Sequence, residues 1–230
     1  MGANKENKID VKNIIKESAV VLVLVAIIIV VSFLSPQFFK VSNFITILRQ
    51  ISILAIVSVG MTVVLISGGI DLSVGSIISV VSVLTAMSAV YGKLPTGVAI
   101  VIGLLLGTLM GLINGVMITM TGMPPMIGTL ATQMIFRGLG FIVCDGASVY
   151  HLPEEFKIFG QGYVGPIPVP VLIMVIILVI FAFILGRTYI GRYFYAVGSN
   201  AEATRLCGLN TQKIQIFAYM LCGFLSAIGG

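Results

Sequence analysis

Charge is scarce in this chain. Asp, Glu, Lys and Arg make up 9% of 230 residues, and between Glu17 and Asp145 the only acidic residue is Asp71. Soluble domains carry about 25% charged residues, so an ordinary water-facing surface is excluded. Cysteine is sparse as well: Cys144, Cys207 and Cys222 fall in three different settings without CxxC spacing, which predicts no disulfide and no metal site. No GxxxxGK[ST] loop is present, so the chain carries no P-loop for nucleotide hydrolysis of its own. There is also no GxSxG element and no nucleophile and histidine pair within an apolar run, so neither a serine nor an aspartyl enzyme can be assembled. The single histidine, His151, reads as an ordinary loop residue. Gly160, Gly162 and Gly165 spell GxGxxG, but no strand precedes them and no helix opens on them, so a dinucleotide site is not expected.

What the chain has in abundance is apolar sequence. Apolar residues fill 58% of positions and the mean hydropathy is +1.16. In lipid the backbone must satisfy its own polar groups, so only helices or a closed barrel can span, and runs this continuous lack the alternation of a barrel. The expected fold is an all-α polytopic membrane bundle. The net charge of +5 does not point to nucleic acid, because the cations sit thinly beside apolar runs as topology signals.

Residues 1–17 carry Lys5, Lys8, Lys12 and Lys16 and are expected in the cytoplasm, ahead of a transmembrane domain over 18–230. The apolar core of 18–34 exceeds that of a secretory signal, and no small-x-small cleavage site precedes Pro36, so it reads as an uncleaved first span. Further spans are expected at 43–67, 74–90, 96–120, 126–143 and 169–186, with a seventh from 214. Arg49, near the start of the second, reads as a headgroup anchor. Counting from an inside start places 144–167 outside as a Gly- and Pro-rich loop. It places 187–213 inside, where Arg187, Arg192, Arg205 and Lys213 outnumber the outer Lys40, Lys93 and Lys157.

Four patterns stand out. The first is the break Gly68-Gly69-Ile70-Asp71-Leu72-Ser73-Val74-Gly75-Ser76, where Asp71 or Ser73 is placed to cap the helix beginning near Val74. It reads either as a tight turn at the membrane edge or as a broken helix at a transport site. The second is Gly103, Gly107, Gly111 and Gly115, spaced by four, which marks a close helix-packing seam with Asn114 beside it as hydrogen-bond partner or substrate contact. The third is the polar line Thr129, Gln133 and Arg137, expected to face the bundle interior, with Arg137 either snorkelling or lining a path. The fourth is the stretch 198–210. Ser199 or Asn200 caps a short helix there, Glu202 suits its first turn and Gly208 closes it, giving either a rigid lever or a connector lying on the membrane.

From residue 43 onward the chain resembles the permease subunit of ribose-type ATP-binding-cassette importers. The likeness rests on Asn43-Phe44, Thr46-Ile47-Leu48-Arg49-Gln50, Gly69-Ile70-Asp71-Leu72-Ser73-Val74-Gly75-Ser76, Arg137-Gly138, Gly191-Arg192-Tyr193, Tyr195-Ala196, Gly198 and Ala203-Thr204-Arg205-Leu206. The resemblance implies a bacterial cell-membrane protein in which two permease copies form a homodimeric pore for a monosaccharide. It also implies a cytoplasmic ATPase subunit that binds the ATP, and an extracytoplasmic sugar-binding protein that delivers the cargo. It makes 187–213 the coupling segment, with Ser199, Asn200, Glu202, Ala203, Arg205 and Gly208 facing the ATPase; Thr204 stands where a loose EAA…G pattern has its second alanine. The substrate-path candidates are Asp71, Ser73, Asn114, Thr129, Gln133 and Arg137. Family members continue through further helices beyond the counterpart of Gly230, so a fragment or truncated product is expected. The competing class is an ion-coupled secondary transporter using Asp71 and Arg137.

Overall fold

Uninterrupted apolar sequence becomes helix wherever no proline or glycine pair breaks it, and the computed structural model of the protein, which describes residues 19–230, follows those punctuation marks. The expected cytoplasmic segment 1–17 lies outside the described residues. The helices are α1 (Ala19–Leu34), α2 (Val41–Ile66), α3 (Val74–Val90), α4 (Thr96–Thr121), α5 (Pro125–Val143), α6 (Glu154–Gln161), α7 (Val169–Arg187), α8 (Tyr189–Ser199), α9 (Ala201–Leu206) and α10 (Thr211–Gly229). Among the described residues α2, α4, α5 and α7 are long and apolar enough to cross a membrane by themselves. Apolar α1 and α3 are shorter, at 16 and 17 residues, and α10 is long enough but more polar. The protein is a polytopic helical membrane bundle.

The chain divides into two compact units, Met1–Ile47 and Leu48–Gly230. In the first, α1 buries none of its residues. The second holds the core. There α10 packs along α4 more extensively than any other pair, while α3 lies against α4, α5 and α10. One apolar cluster joins Ile56, Val63, Ile177, Phe181, Phe194, Tyr219 and Leu225 across α2, α7, α8 and α10; another joins Ile77, Val80, Val81, Met110, Phe136 and Ala227.

The glycine seam of α4 sits inside these contacts. A methyl on Gly103 would meet Thr85 and Val81 of α3, whereas methyls on Gly107, Gly111 and Gly115 would meet the α10 backbone at Gly223, Tyr219 and Ile216. Bare backbone on both sides is what lets two helices approach this closely. The stop after α4 is Gly122, in the left-handed region at φ +67, whose N–H reaches the Ile118 carbonyl at 3.0 Å; Pro125 then starts α5.

Two connections are more ordered than their composition suggests. The 144–167 loop contains α6, opened by Pro153, and a two-residue antiparallel pairing of β1 (Tyr163–Val164) with β2 (Ile167–Pro168). Gly165 turns it at φ +61. Arg49 donates to the Gln161 carbonyl at 2.9 Å and lies 4.7 Å from the centre of the Tyr163 ring, so its partner is this loop. The polar segment 187–213 holds α8, whose Phe194 stacks on Phe217 of α10 at 6.2 Å. Tyr189, Ile190, Tyr193, Phe194 and Val197 recur at helical spacing, an amphipathic signal that the surrounding arginines mask in a search for long apolar runs.

Candidate functional site

Residues 67–73 form the break. The end of α2 closes as a Schellman motif: Gly68, at φ +85, donates to the Leu65 carbonyl at 3.0 Å and Gly69 to the Val64 carbonyl at 2.9 Å. Beyond it, the Asp71 carboxylate accepts from the Ser73 N–H at 2.9 Å and the Ser73 hydroxyl at 2.7 Å. The Asn114 amide of α4 donates to the Ser73 hydroxyl at 2.7 Å and reaches both Asp71 oxygens at 3.4 and 3.5 Å. Asp71, Ser73 and Asn114 are fully buried. The Ile70 carbonyl accepts from Tyr219 of α10 at 3.3 Å and lies equally far from the Thr129 hydroxyl of α5, whose nearer acceptor is the Pro125 carbonyl of its own helix at 2.9 Å; the Ser67 carbonyl accepts from Gln215 at 3.4 Å.

This knot sits inside the bundle rather than on its rim. Asn114 precedes the end of α4 by about 10 Å and Tyr219 follows the start of α10 by about 12 Å at 1.5 Å per residue. Three helices therefore hold a non-helical stretch of backbone whose polar groups lipid could not satisfy. Asn114 Oδ1 alone stays unpaired within it.

The capping expected at this break takes a different form. Ser73 stands at the N-cap of α3 with helical backbone angles and makes no side-chain cap, because its hydroxyl is committed to Asp71; the carboxylate takes the Ser73 N–H instead.

The line Thr129, Gln133 and Arg137 does not stay on one face. Thr129 is buried, Gln133 half-buried and Arg137 exposed, its guanidinium 6.0 Å from the centre of the Phe141 ring. This corrects the expectation that all three face the interior of this chain. The buried face of α5 is the line Gly128, Thr132, Phe136 and Gly140, with Thr129 at its margin; Gln133 and Arg137 each follow a member of that line by one residue, about 100° round the helix, and so turn away from the core. Asp71 and Arg137, on which an ion-coupled reading relied, are thus not brought together. The Tyr219 contribution is not visible in sequence, although Tyr219 does precede Gly223 by one turn on the same face.

At the same end of the bundle, Asn200 caps α9, accepting from the Ala203 N–H at 2.9 Å, while the Ser199 hydroxyl turns back to the Ala196 carbonyl. Glu202 pairs with Arg205 at 2.7 Å, both well exposed, and Gly208 ends the helix at φ +84. Ala201, Glu202, Ala203, Arg205 and Gly208 all face solvent. Buried Thr204 clasps α9 to α8 by donating to the Ala196 carbonyl at 2.9 Å.

A separate cavity of about 420 Å³ opens at the opposite end among α2, α3, α4, α6, α7 and α10. Its wall is chiefly apolar, including Ile53, Val81, Leu104 and Ile173, with Arg49 and Thr85 among its few polar members. Among the described residues no cluster of His, Cys, Asp and Glu is suited to hold a metal.

An apolar helical bundle with a buried polar break between α2 and α3, and a capped helix exposed at the same end, fits a membrane permease. The chain belongs to the family described as branched-chain amino acid transport system / permease component, which matches residues 43–230. It is 39% identical to the ribose import permease protein RbsC of Haemophilus influenzae, covering 100% of this chain and 72% of that protein. It is 38% identical to RbsC of Bacillus subtilis, covering 98% and 70%. The autoinducer 2 import system permease protein LsrC of Photorhabdus luminescens is 34% identical, covering 94% and 65%. No solved structure matches the chain.

Proposed function

We propose that this chain is the pore-forming subunit of an ATP-driven bacterial importer for a monosaccharide, ribose or a related sugar, working as a homodimer with separate ATPase and sugar-binding subunits. The observation that carries the coupling part is α9: a capped helix whose outward face, Glu202, Ala203 and Arg205, is exposed while Thr204 fixes its inward face to α8. A surface held this rigidly transmits a push from a docked partner, where a loose connector would absorb it. The identity to ribose import permeases along nearly the whole chain supports the sugar, and the chain's own lack of a P-loop fits hydrolysis on another subunit.

In this reading α9 lies in the cytoplasm with the N-terminus, and the cargo path runs between two copies along the face of α5 bearing Gln133 and Arg137. Asp71, Ser73, Asn114 and Thr129 hold the helices that frame it. Co-purification with a cytoplasmic ATP-binding-cassette ATPase tests the assignment. Glu202→Lys is expected to weaken that association while leaving membrane insertion intact, and unaltered sugar-stimulated hydrolysis would remove α9 from the coupling path. Uptake into vesicles should survive a collapsed ion gradient and stop when ATP is withdrawn.

A further inference from the structure

We propose that the last turn of α8 bears directly on the elbow that ends α2, so that Gly198 and Gly68 act as positioning residues which carry motion of α9 into the Asp71 knot. The inference rests on the importer reading above and deepens it by naming where the lever lands.

The contact is backbone on backbone. A methyl built on Gly198 would fall on the Ile66 carbonyl and lie 3.3 Å from the Gly68 nitrogen, and one on Gly68 would lie 3.7 Å from the Gly198 Cα. No side chain stands between the two segments to cushion a displacement. On the lever side, the one hydroxyl hydrogen of Thr204 is shared between the carbonyls of Ala196 and Asn200, at 2.9 and 2.8 Å, which fastens α9 to the last turn of α8.

On the far side of the elbow Ile70, Asp71 and Ser73 are tied. A methyl on Gly69 would meet the Tyr219 hydroxyl, which itself donates to Ile70; the Thr129 hydroxyl packs against the same carbonyl at 3.3 Å, and Asp71 is held by Ser73 and Asn114. A shift of Gly198 against Gly68 therefore reaches α4 and α10 through hydrogen bonds rather than through compressible apolar contacts. The weak point is also the one glycine-rich stretch between α2 and α3, where backbone rotation is least costly. The arrangement is a contiguous mechanical path with a hinge in it.

The test uses the full permease with its ATPase and sugar-loaded binding protein in lipid nanodiscs. Gly198→Ala should leave the ATPase bound but reduce binding-protein-stimulated hydrolysis per assembled complex by about fivefold or more, the low end of site-to-site coupling. Stimulation within about twofold of wild type in that variant would overturn the inference. Thr204→Val, which removes the clasp without adding volume, should act in the same direction and serves if the glycine variant fails to assemble. In the wild-type complex, amides of residues 68–73 should change their hydrogen-exchange rate when a non-hydrolysable ATP analogue binds the ATPase. Unchanged exchange there would show the contact to be static packing and overturn the proposal. Absence of any ATPase from the wild-type complex would instead overturn the importer reading, a result that the co-purification step reports separately.

Discussion

Replacing Gly111 by alanine adds one methyl where α4 and α10 touch backbone to backbone. The new carbon would stand on the Tyr219 carbonyl oxygen, 3.0 Å from its carbon and 3.1 Å from the Met220 Cα. Carbon pairs are at rest near 3.5–4.0 Å, so the helices must part by about 0.5–1 Å, which forfeits a quarter to a half of each contact along the seam. Taking about forty atom pairs of about 0.15 kcal/mol and a loss of about a third gives about 2 kcal/mol. Gly97→Ala is the internal control: it lies on the same helix, nothing stands within 4 Å of its added carbon, and it should be neutral or slightly stabilising. Denaturant titration of the purified protein in mixed micelles, followed by loss of helix signal, measures both. A second methyl at Gly223, which faces Gly107 and Gly111, should cost much less in the Gly111→Ala background than alone, since the first has already separated the helices. Equal stability of Gly111→Ala and Gly97→Ala would refute the close-packed seam.

Asp71→Asn keeps an acceptor for the Ser73 N–H and hydroxyl and should melt close to wild type, whereas Asp71→Ala leaves the Ser73 N–H and the Asn114 amide without their shared acceptor and should cost about 3 kcal/mol, measured by thermal unfolding in detergent. Near-normal sugar uptake by Asp71→Asn would show that the charge itself takes no part in transport. Arg49→Ala removes the hydrogen bond to Gln161 and the contact with Tyr163, together worth about 1.5 kcal/mol, so proteolysis within 144–168 should accelerate by about tenfold; Arg49→Lys should recover only part of this because it cannot stack. Of the cysteines, exposed Cys207 should react with a membrane-impermeant maleimide in inverted vesicles but not in intact cells, and buried Cys222 in neither. Labelling of Cys207 from outside intact cells would reverse the proposed orientation.

Helix positions were legible because apolar runs and their stops are local properties. The stops at 68–69, 95, 122–125 and 168 are glycines and prolines, and each boundary follows from one or two residues. The glycine spacing on α4 likewise announced a close approach without saying to which helix. Less legible were elements whose stability comes from a neighbour. Helix α6 and the β1–β2 pairing are short pieces in a Gly- and Pro-rich stretch, and α8 is amphipathic, so neither registers as an apolar run. The knot was half-visible: Asp71 was conspicuous as a lone acid, but Tyr219 reaches Ile70 across 149 positions of sequence, and nothing local marks that hydroxyl. Arg137 shows the reverse case, a regular spacing set one residue out of phase with the buried line of α5, so that its later members leave the core.

The glycines of α4 are separated by four residues, about 400° of turn, so the smooth track they leave winds round the helix by about 40° at each step. It begins under α3 at Gly103 and ends under α10 at Gly115, like the thread of a screw. A helix that keeps to the track from Gly107 to Gly115 must cross α4 obliquely, and none of those three positions can gain a side chain without parting the pair.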